Sequence, residues 1–293
     1  MEAKKTMHAP KLHRFRASSV PRTRFATTEH PAVRWLLTGI TVTFLTVFLL
    51  FPLFTVFHEA FSRGMEMYLA SFDDRFIRHS IKLTLMTAAI AVPLNLIFGI
   101  AAAWAVTKFD FPGKSLLVTV IDLPFSVSPV IAGFVFILIF GAHGYLGPWV
   151  EKAGIQIVFA FPGIVLATTF GTVPFIAREL IPLMEAQGRD EEYAAMILGA
   201  SGWRTFFKVT LPNVKWGLFY GVILCNARAM GEFGGVEVVS GSISGRTNTM
   251  TLQIQQLYFD YATVPAFAVA SVLAFLALVT LILKNALEWW SHR

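Results

Sequence analysis

The chain has 293 residues, of which 55% are hydrophobic and 14% charged, with a formal net charge of +6 at pH 7. A folded soluble protein needs more surface charge than this composition supplies, so the sequence excludes a soluble globular protein and indicates a membrane protein. The single cysteine, Cys225, excludes a disulfide or a thiolate metal site within the chain.

The first element is a basic tail, residues 1–34, in which eight Lys and Arg residues stand against two Glu residues. Positive residues gather on the cytoplasmic side of a membrane, so we expect the tail in the cytoplasm. Attraction to anionic lipid headgroups explains its charge better than nucleic-acid binding. The apolar run that follows is too long for a cleaved signal peptide, so we expect it to remain as a helix.

Six apolar runs reach the length of about 20 residues that is needed to cross a hydrocarbon core of about 30 Å. They are residues 35–57, 83–107, 116–140, 153–177, 216–239 and 262–283. An even number of spans returns the chain to its starting side, so both termini are expected to be cytoplasmic. The sequence therefore predicts an all-α membrane protein with six transmembrane helices and a transmembrane domain over residues 35–289.

The connecting segments limit what the chain can do alone. The predicted external segments, 57–82, 141–152 and 240–261, are too short to form a domain with its own core, so another protein is expected to capture the substrate. The internal segment 178–215 is too short for a nucleotide-binding domain, yet long for a turn between two helices. Phosphate-loop, metalloprotease and nucleophile-elbow patterns are absent, so we expect neither catalysis nor a cofactor bound by this chain.

Residues 189–203 of the internal segment read RDEEYAAMILGASGW. Acidic residues followed by small and apolar ones and then by glycine predict a short helix with a glycine stop. The spacing Ala194-Ala195-x-x-x-Gly199, then nine residues, then Val209-x-Leu211-Pro212 resembles the E-A-A-x-x-x-G…I-x-L-P signature of permeases of ATP-binding-cassette (ABC) importers.

That resemblance implies a coupling helix that sits in a groove of an ATPase subunit. Tyr193 stands where the family has its Glu, and Glu192, one position earlier, is a plausible substitute. The alternative interpretation is an ordinary amphipathic helix at the membrane interface. The candidate coupling residues are Glu191, Glu192, Tyr193, Ala194, Ala195, Gly199, Leu211 and Pro212.

A second resemblance extends from the predicted second span to Lys284. Residues 211–221 read LPNVKWGLFYG, residues 226–235 read NARAMGEFGG, and residues 238–243 read VVSGSI. These stretches resemble the sulfate/thiosulfate permease family, and its W-type subunit more closely than its T-type subunit.

The resemblance implies a type I ABC importer permease in the bacterial cytoplasmic (inner) membrane. Its implied partners are a T-type permease or a second copy of the chain, two ATPase subunits that hold ATP and Mg²⁺, and a periplasmic or extracellular sulfate-binding protein. Nucleic acid is not an implied partner. Molybdate and tungstate permeases carry related Gly-Glu-Phe-Gly patterns, so molybdate, tungstate and phosphate remain alternative substrates.

Ionisable residues inside the predicted fifth span point to a transport path. Arg228 and Glu232 each cost about 2.5–3.5 kcal/mol in hydrocarbon, and their spacing of four residues allows them to pair. Helix breaks at membrane depth are tolerated where they are buried in protein or line a cavity, and nearby glycines weaken this helix. The candidate path or gate residues are Asp122, Asn226, Arg228, Gly231, Glu232, Phe233 and Gly234.

Each of these interpretations has a simpler alternative. Arg228 and Glu232 can form a purely structural salt bridge, and Asp122 with its nearby prolines can belong to a kinked packing helix. A secondary anion transporter or channel, or a membrane scaffold without transport, is the alternative class. Internal repeats and self-contained coupling-ion sites would favour a secondary transporter, and the sequence displays neither.

Overall fold

A computed structural model of the protein describes residues 31–291, and these residues form helices and connecting turns without a strand among them. The predicted basic tail therefore lies outside the described residues up to residue 30. Contacts divide the chain into two units, Met1–Leu50 and Phe51–Arg293.

The described part of the first unit is a helix. Helix α1 spans Pro31–Leu45, and a π-helical turn, Thr46–Leu50, follows it. Every side chain of these two elements is exposed, and most are apolar. A helix that is apolar all round suits a lipid environment.

The second unit is built around two long helices that pack along each other, α4 (Arg75–Lys108) and α8 (Phe161–Gln187). Helix α4 begins where the carboxylate of Asp74 accepts a hydrogen bond of 2.7 Å from the Phe76 amide, an N-cap. The two backbones approach closely at Gly99, where an added Cβ would lie 2.7 Å from Ile176 Cγ2. Small residues allow such close packing between membrane helices.

Four further helices complete the bundle. Helices α2 (Phe51–Ala60) and α3 (Gly64–Ser71) pack against the final helix, α15 (Thr263–Ser291). Helix α12 (Lys215–Met230) packs against α4, α8 and α15. Apolar side chains from α4, α8 and α12 meet in the largest core cluster, which includes Ile176, Leu180 and Met230.

Shorter helices surround this bundle. They are α5 (Lys114–Ser126), α6 (Pro129–Phe140), α7 (Gly147–Lys152), α9 (Asp190–Ile197), α10 (Gly202–Thr205), α11 (Leu211–Asn213), α13 (Gly234–Ser240) and α14 (Met250–Phe259). A π-helical turn, Phe206–Thr210, connects α10 to α11. Helices α5 and α6 are bent by 110° relative to each other, and α6 packs against α13.

Four helical runs in the described residues are long and apolar enough to cross a membrane: Pro31–Ala60, Arg75–Lys108, Phe161–Gln187 and Thr263–Leu287. The bent pair α5 and α6 raises the number to five if it is one span. The predicted third span, 116–140, is therefore two helices rather than one. The predicted fifth span, 216–239, is also interrupted, because α12 ends at Met230 and α13 begins at Gly234.

The predicted fourth span, 153–177, is displaced in the structure. Helix α8 begins at Phe161 and continues to Gln187, so residues 178–187 belong to a helix rather than to a connecting segment. The charge of Arg178 indicated the end of the span in the sequence. The helix continues past Arg178, whose charge is paired with that of Asp122 on α5.

Candidate coupling segment and charged cavity

The predicted coupling loop was 178–215; because residues 178–187 belong to α8, the coupling segment is residues 188–213. Its first part folds as the sequence predicts. Helix α9 carries Asp190, Glu191 and Glu192 in its first turn, where negative charge is favourable. Gly199 follows the helix with a φ of +86°, a conformation that glycine adopts without strain. The glycine stop after the acidic helix is therefore confirmed.

Glu192 fastens the coupling segment to the end of α4. Its side chain lies 3.1 Å from Lys108 Nζ, and the two side chains are only 11% and 5% exposed. The hydroxyl of Thr210 donates a hydrogen bond of 2.6 Å to the same carboxylate. Glu192 is thus directed into the chain, so the surface available to a partner is made by other residues.

Further polar contacts hold the segment in place. Lys108 Nζ donates a hydrogen bond of 2.6 Å to the Gly188 carbonyl. Arg189 donates one of 3.1 Å to the Thr107 carbonyl, and Asn213 donates one to the carboxylate of Glu191. The segment is therefore attached both to α4 and to itself.

The outer surface of the coupling segment is apolar. Tyr193 is 50% exposed, Ile197 86% and Leu198 88%. Ala194, Gly199 and Pro212 are exposed, while Ala195 and Leu211 are half-buried. An exposed apolar surface of this kind is typical of a protein contact.

A charged cavity of about 60 Å³ lies between α5, α6, α8, α12 and the residues that precede α13. Arg228 Nη1 lies 2.5 Å from Glu232 Oε2, so the predicted pairing of these two residues is confirmed. The side chain of Glu232 is 2% exposed and that of Arg228 is 36% exposed. Both side chains line the cavity, so they present paired charges to it.

The spacing of four residues predicted that both side chains lie on one continuous helix, and this prediction was wrong. Helix α12 ends at Met230, and Glu232 lies in the break before α13. Its carbonyl accepts a hydrogen bond of 2.8 Å from the Thr251 hydroxyl. The glycines of this region weaken the helix. In a continuous helix the Glu232 carbonyl would accept a hydrogen bond from a backbone amide of the next turn, whereas at the break it accepts one from a side chain instead.

Gly171 of α8 gives the carboxylate of Glu232 its space. A Cβ at this position would lie 3.0 Å from Glu232 Oε2. Gly171 was not predicted as a site residue, because no motif in the neighbouring sequence includes it. Only the approach of the Glu232 carboxylate to α8 reveals its importance.

Another ion pair, between Asp122 and Arg178, joins α5 to α8. Arg178 donates two hydrogen bonds to the carboxylate of Asp122, from Nε at 2.7 Å and from Nη2 at 2.9 Å. The two residues line an open recess of about 320 Å³ that is distinct from the charged cavity. Asp122 was predicted as a path residue. Arg178 was not, because its charge was interpreted as the end of the predicted fourth span.

The remaining candidate path residues have different surroundings. Asn226 is half-buried on α12 and is not among the residues that line the charged cavity. Gly231 and Phe233 are exposed in the helix break. Gly234 packs against α6, where an added Cβ would lie 3.1 Å from Val130 Cγ2. The structure therefore brings Arg228 and Glu232 to one cavity and places Asp122 at another.

The carboxylates of the charged cavity and of the recess are both held in ion pairs. Residues 31–291 contain no group of three or more His, Cys, Asp or Glu side chains that could hold a metal ion. Each carboxylate at the cavity and the recess has an arginine partner. A balanced pair offers donors to an anion without an uncompensated charge that would hold it tightly.

The chain belongs to the family of binding-protein-dependent transport system inner membrane components. Residues 95–290 match the sequence model of that family. It is 51% identical over 256 residues to the sulfate transport system permease protein CysW of Escherichia coli (strain K12), covering 87% of this chain and 88% of that protein. It is 49% identical to CysW of Synechocystis sp., covering 87% and 93%. With the sulfate transport system permease protein CysT of E. coli (strain K12) it shares 33% identity, covering 85% and 90%.

The fold is also similar to that of a solved transporter. A bacterial alginate ABC transporter, crystallised with its pentasaccharide-bound periplasmic protein, has a chain with a TM-score of 0.71 at 16% identity, covering 89% of this chain and 95% of that chain. That likeness concerns the fold alone. The resemblance to sulfate permeases, closer to the W-type than to the T-type subunit, is confirmed by the sequence identities of 51% to CysW and 33% to CysT.

Glu192→Ala is expected to loosen the coupling segment. The change leaves the buried Lys108 ammonium without its carboxylate, a loss that costs about 3–5 kcal/mol when one partner of a buried pair is removed. Hydrogen exchange of residues 188–213, measured by mass spectrometry on the purified chain, should become faster. Asp190→Ala is the matched control, because Asp190 is exposed on the same turn. Equal exchange in the two variants would show that Glu192 does not fasten the segment.

Proposed function

We propose that this chain is the membrane-spanning permease subunit of an ATP-driven sulfate importer, and that it forms the translocation path without hydrolysing ATP itself. The observation that carries the proposal is the 51% identity to a sulfate permease over 87% of the chain. The W-type assignment is supported by the lower identity of 33% to the T-type relative.

The assembly that we propose contains a T-type permease or a second copy of this chain, two ATPase subunits with ATP and Mg²⁺, and an external sulfate-binding protein. The chain would lie in the bacterial inner membrane with both termini in the cytoplasm. Counting α5 with α6, and α12 with α13, as single crossings gives the six spans of a type I permease. The apolar surface of Tyr193, Ile197 and Leu198 supports an ATPase contact at the coupling segment.

The charged cavity is the proposed gate of the path. A divalent oxyanion needs hydrogen-bond donors on its way, but binding must stay weak enough for release. Arg228 supplies donors, and Glu232 balances its charge. The break between α12 and α13 supports a gate, because the two helices can adjust separately around Gly231.

ATP-dependent uptake of sulfate by the complete complex tests the proposed function. Proteoliposomes containing this chain, its permease partner, the ATPase and the binding protein should accumulate radiolabelled sulfate only with internal ATP. Sulfate-loaded binding protein should stimulate ATP hydrolysis more than molybdate- or phosphate-loaded protein. Vesicles with this chain alone should not accumulate sulfate. Stimulation by another oxyanion would reassign the substrate, and rapid ATP-independent flux through the chain alone would identify a secondary carrier.

Gly199→Val should weaken association with the ATPase. A β-branched residue at a φ of +86° is strained by about 1–3 kcal/mol, so the end of α9 has to reshape. Gly202→Val is the matched control, because an added Cβ meets nothing within 4 Å at either glycine and only Gly199 has a positive φ. Co-purification with the tagged ATPase measures the effect. Wild-type yield and transport from Gly199→Val would exclude docking through this segment.

Neutralising the charged cavity should separate assembly from transport. In the Arg228→Gln, Glu232→Gln double variant no unpaired charge remains in the membrane, so the complex should assemble at the wild-type level. Sulfate uptake per complex should nevertheless fall by about tenfold, which corresponds to about 1.4 kcal/mol in the rate-limiting barrier. Glu232→Gln alone leaves Arg228 unbalanced and serves as the comparison. Full uptake in the double variant would leave only a structural salt bridge.

A further inference from the structure

The Asp122–Arg178 pair is an exposed pair of charges within an apolar part of the chain. The Arg178 side chain is 58% exposed and that of Asp122 is 31% exposed. Ion pairs inside a membrane protein face protein or water, because hydrocarbon penalises them. The pair is far more open than a packing salt bridge would be, so its exposed side must meet either water or another subunit.

The guanidinium of Arg178 retains capacity to bind. A guanidinium has five N–H donors, and Asp122 takes two of them, from Nε and Nη2. The Phe125 ring supports the same group from 5.0 Å. Arg178 is therefore fixed in position at the edge of the recess, and three of its five N–H donors are not taken by Asp122.

One face of α8 connects this pair to the charged cavity. Gly171, Phe175 and Arg178 recur at spacings of four and three residues, which places them on the same side of the helix. Gly171 borders the carboxylate of Glu232. Seven residues separate Gly171 from Arg178, so the two charge pairs lie about 10 Å apart along α8.

An aromatic pair stands between the two charged positions. The rings of Phe125 and Phe175 are 5.5 Å apart in an edge-to-face arrangement. Phe125 also lines the charged cavity that holds Arg228 and Glu232. An apolar constriction between two polar positions can close a path by excluding water.

We propose that Arg178, positioned by Asp122, is a second binding position for a tetrahedral oxyanion, separated from the charged cavity by the Phe125–Phe175 pair. The inference rests on the proposed function. Arg178 is nearer to the coupling segment than Gly171 is, since α8 continues directly from it to Gln187. The anion therefore leaves the Arg228–Glu232 cavity, passes the aromatic pair and meets Arg178 before release.

Uptake by the reconstituted complex tests this assignment. The Arg178→Gln, Asp122→Asn double variant should assemble normally and lose about tenfold in maximal sulfate uptake. Arg178→Lys should assemble and keep most of the uptake, because it preserves the charge. Arg78→Gln is the control, since Arg78 is an exposed arginine that donates a hydrogen bond to the Asp73 carbonyl. Uptake at the control level in the double variant would overturn the assignment.

Thiol labelling gives a result that does not depend on folding of the arginine variants. Val118→Cys places a thiol in the recess beside Asp122 and Arg178, while the native Cys225 is fully buried and gives a low background. In the assembled complex, the labelling rate of each reagent at position 118 is divided by its rate with a small free thiol, because a cationic reagent reacts intrinsically faster with a thiolate. On this scale a sulfonate-bearing methanethiosulfonate should label position 118 faster than a trimethylammonium-bearing one, and excess sulfate should slow that labelling. A thiol that neither reagent labels, or equal normalised rates, would overturn the assignment.

The two proposals fail in distinguishable ways. If the wild-type complex takes up no sulfate, the proposed function fails whatever the variants do. If the wild-type complex imports sulfate and the Arg178→Gln, Asp122→Asn variant equals it, only the second oxyanion position is wrong.

Discussion

Charge inside an apolar chain has to be paired, and the pairs determine how the helices of this protein meet. Within the described residues, one pair joins α8 to α5, a second joins the end of α4 to α9, and a third lies beside the break after α12. These pairs are Arg178–Asp122, Lys108–Glu192 and Arg228–Glu232. Each pair neutralises both of its charges and ties two segments of the chain together, so the helical arrangement depends on all three.

Small residues set the distances at which those charges act. Gly99 brings α4 close to α8, and Gly171 leaves space on α8 for the carboxylate of Glu232. Helix α8 therefore takes part both in the close packing against α4 and in the placement of the Glu232 carboxylate. The chain therefore combines a broken helix, between α12 and α13, with the closely packed pair α4 and α8.

Features that depend on neighbouring residues could be predicted from the sequence. Apolar length located α4 and α15 but displaced α8, the spacing of Arg228 and Glu232 predicted their pairing, and the pattern before Gly199 predicted a glycine stop. Features that depend on distant contacts could not be predicted. Arg178 meets Asp122 across 56 positions, so its charge alone indicated the end of a span. The burial of Glu192 likewise follows from Lys108, which no local pattern connects to it.

The attachment of α9 to α4 has a mechanical consequence. Glu192 and the Gly188 carbonyl both hold Lys108, the last residue of α4. Helix α4 is 34 residues long, so it forms a stiff rod of about 50 Å. Asn95, within that rod, donates a hydrogen bond of 2.6 Å to Thr172, one residue from Gly171. In the proposed transport complex, a force on α9 would therefore be transmitted through residues 95–108 of α4, a proline-free stretch of about 20 Å, to the contact between α4 and α8 beside the charged cavity.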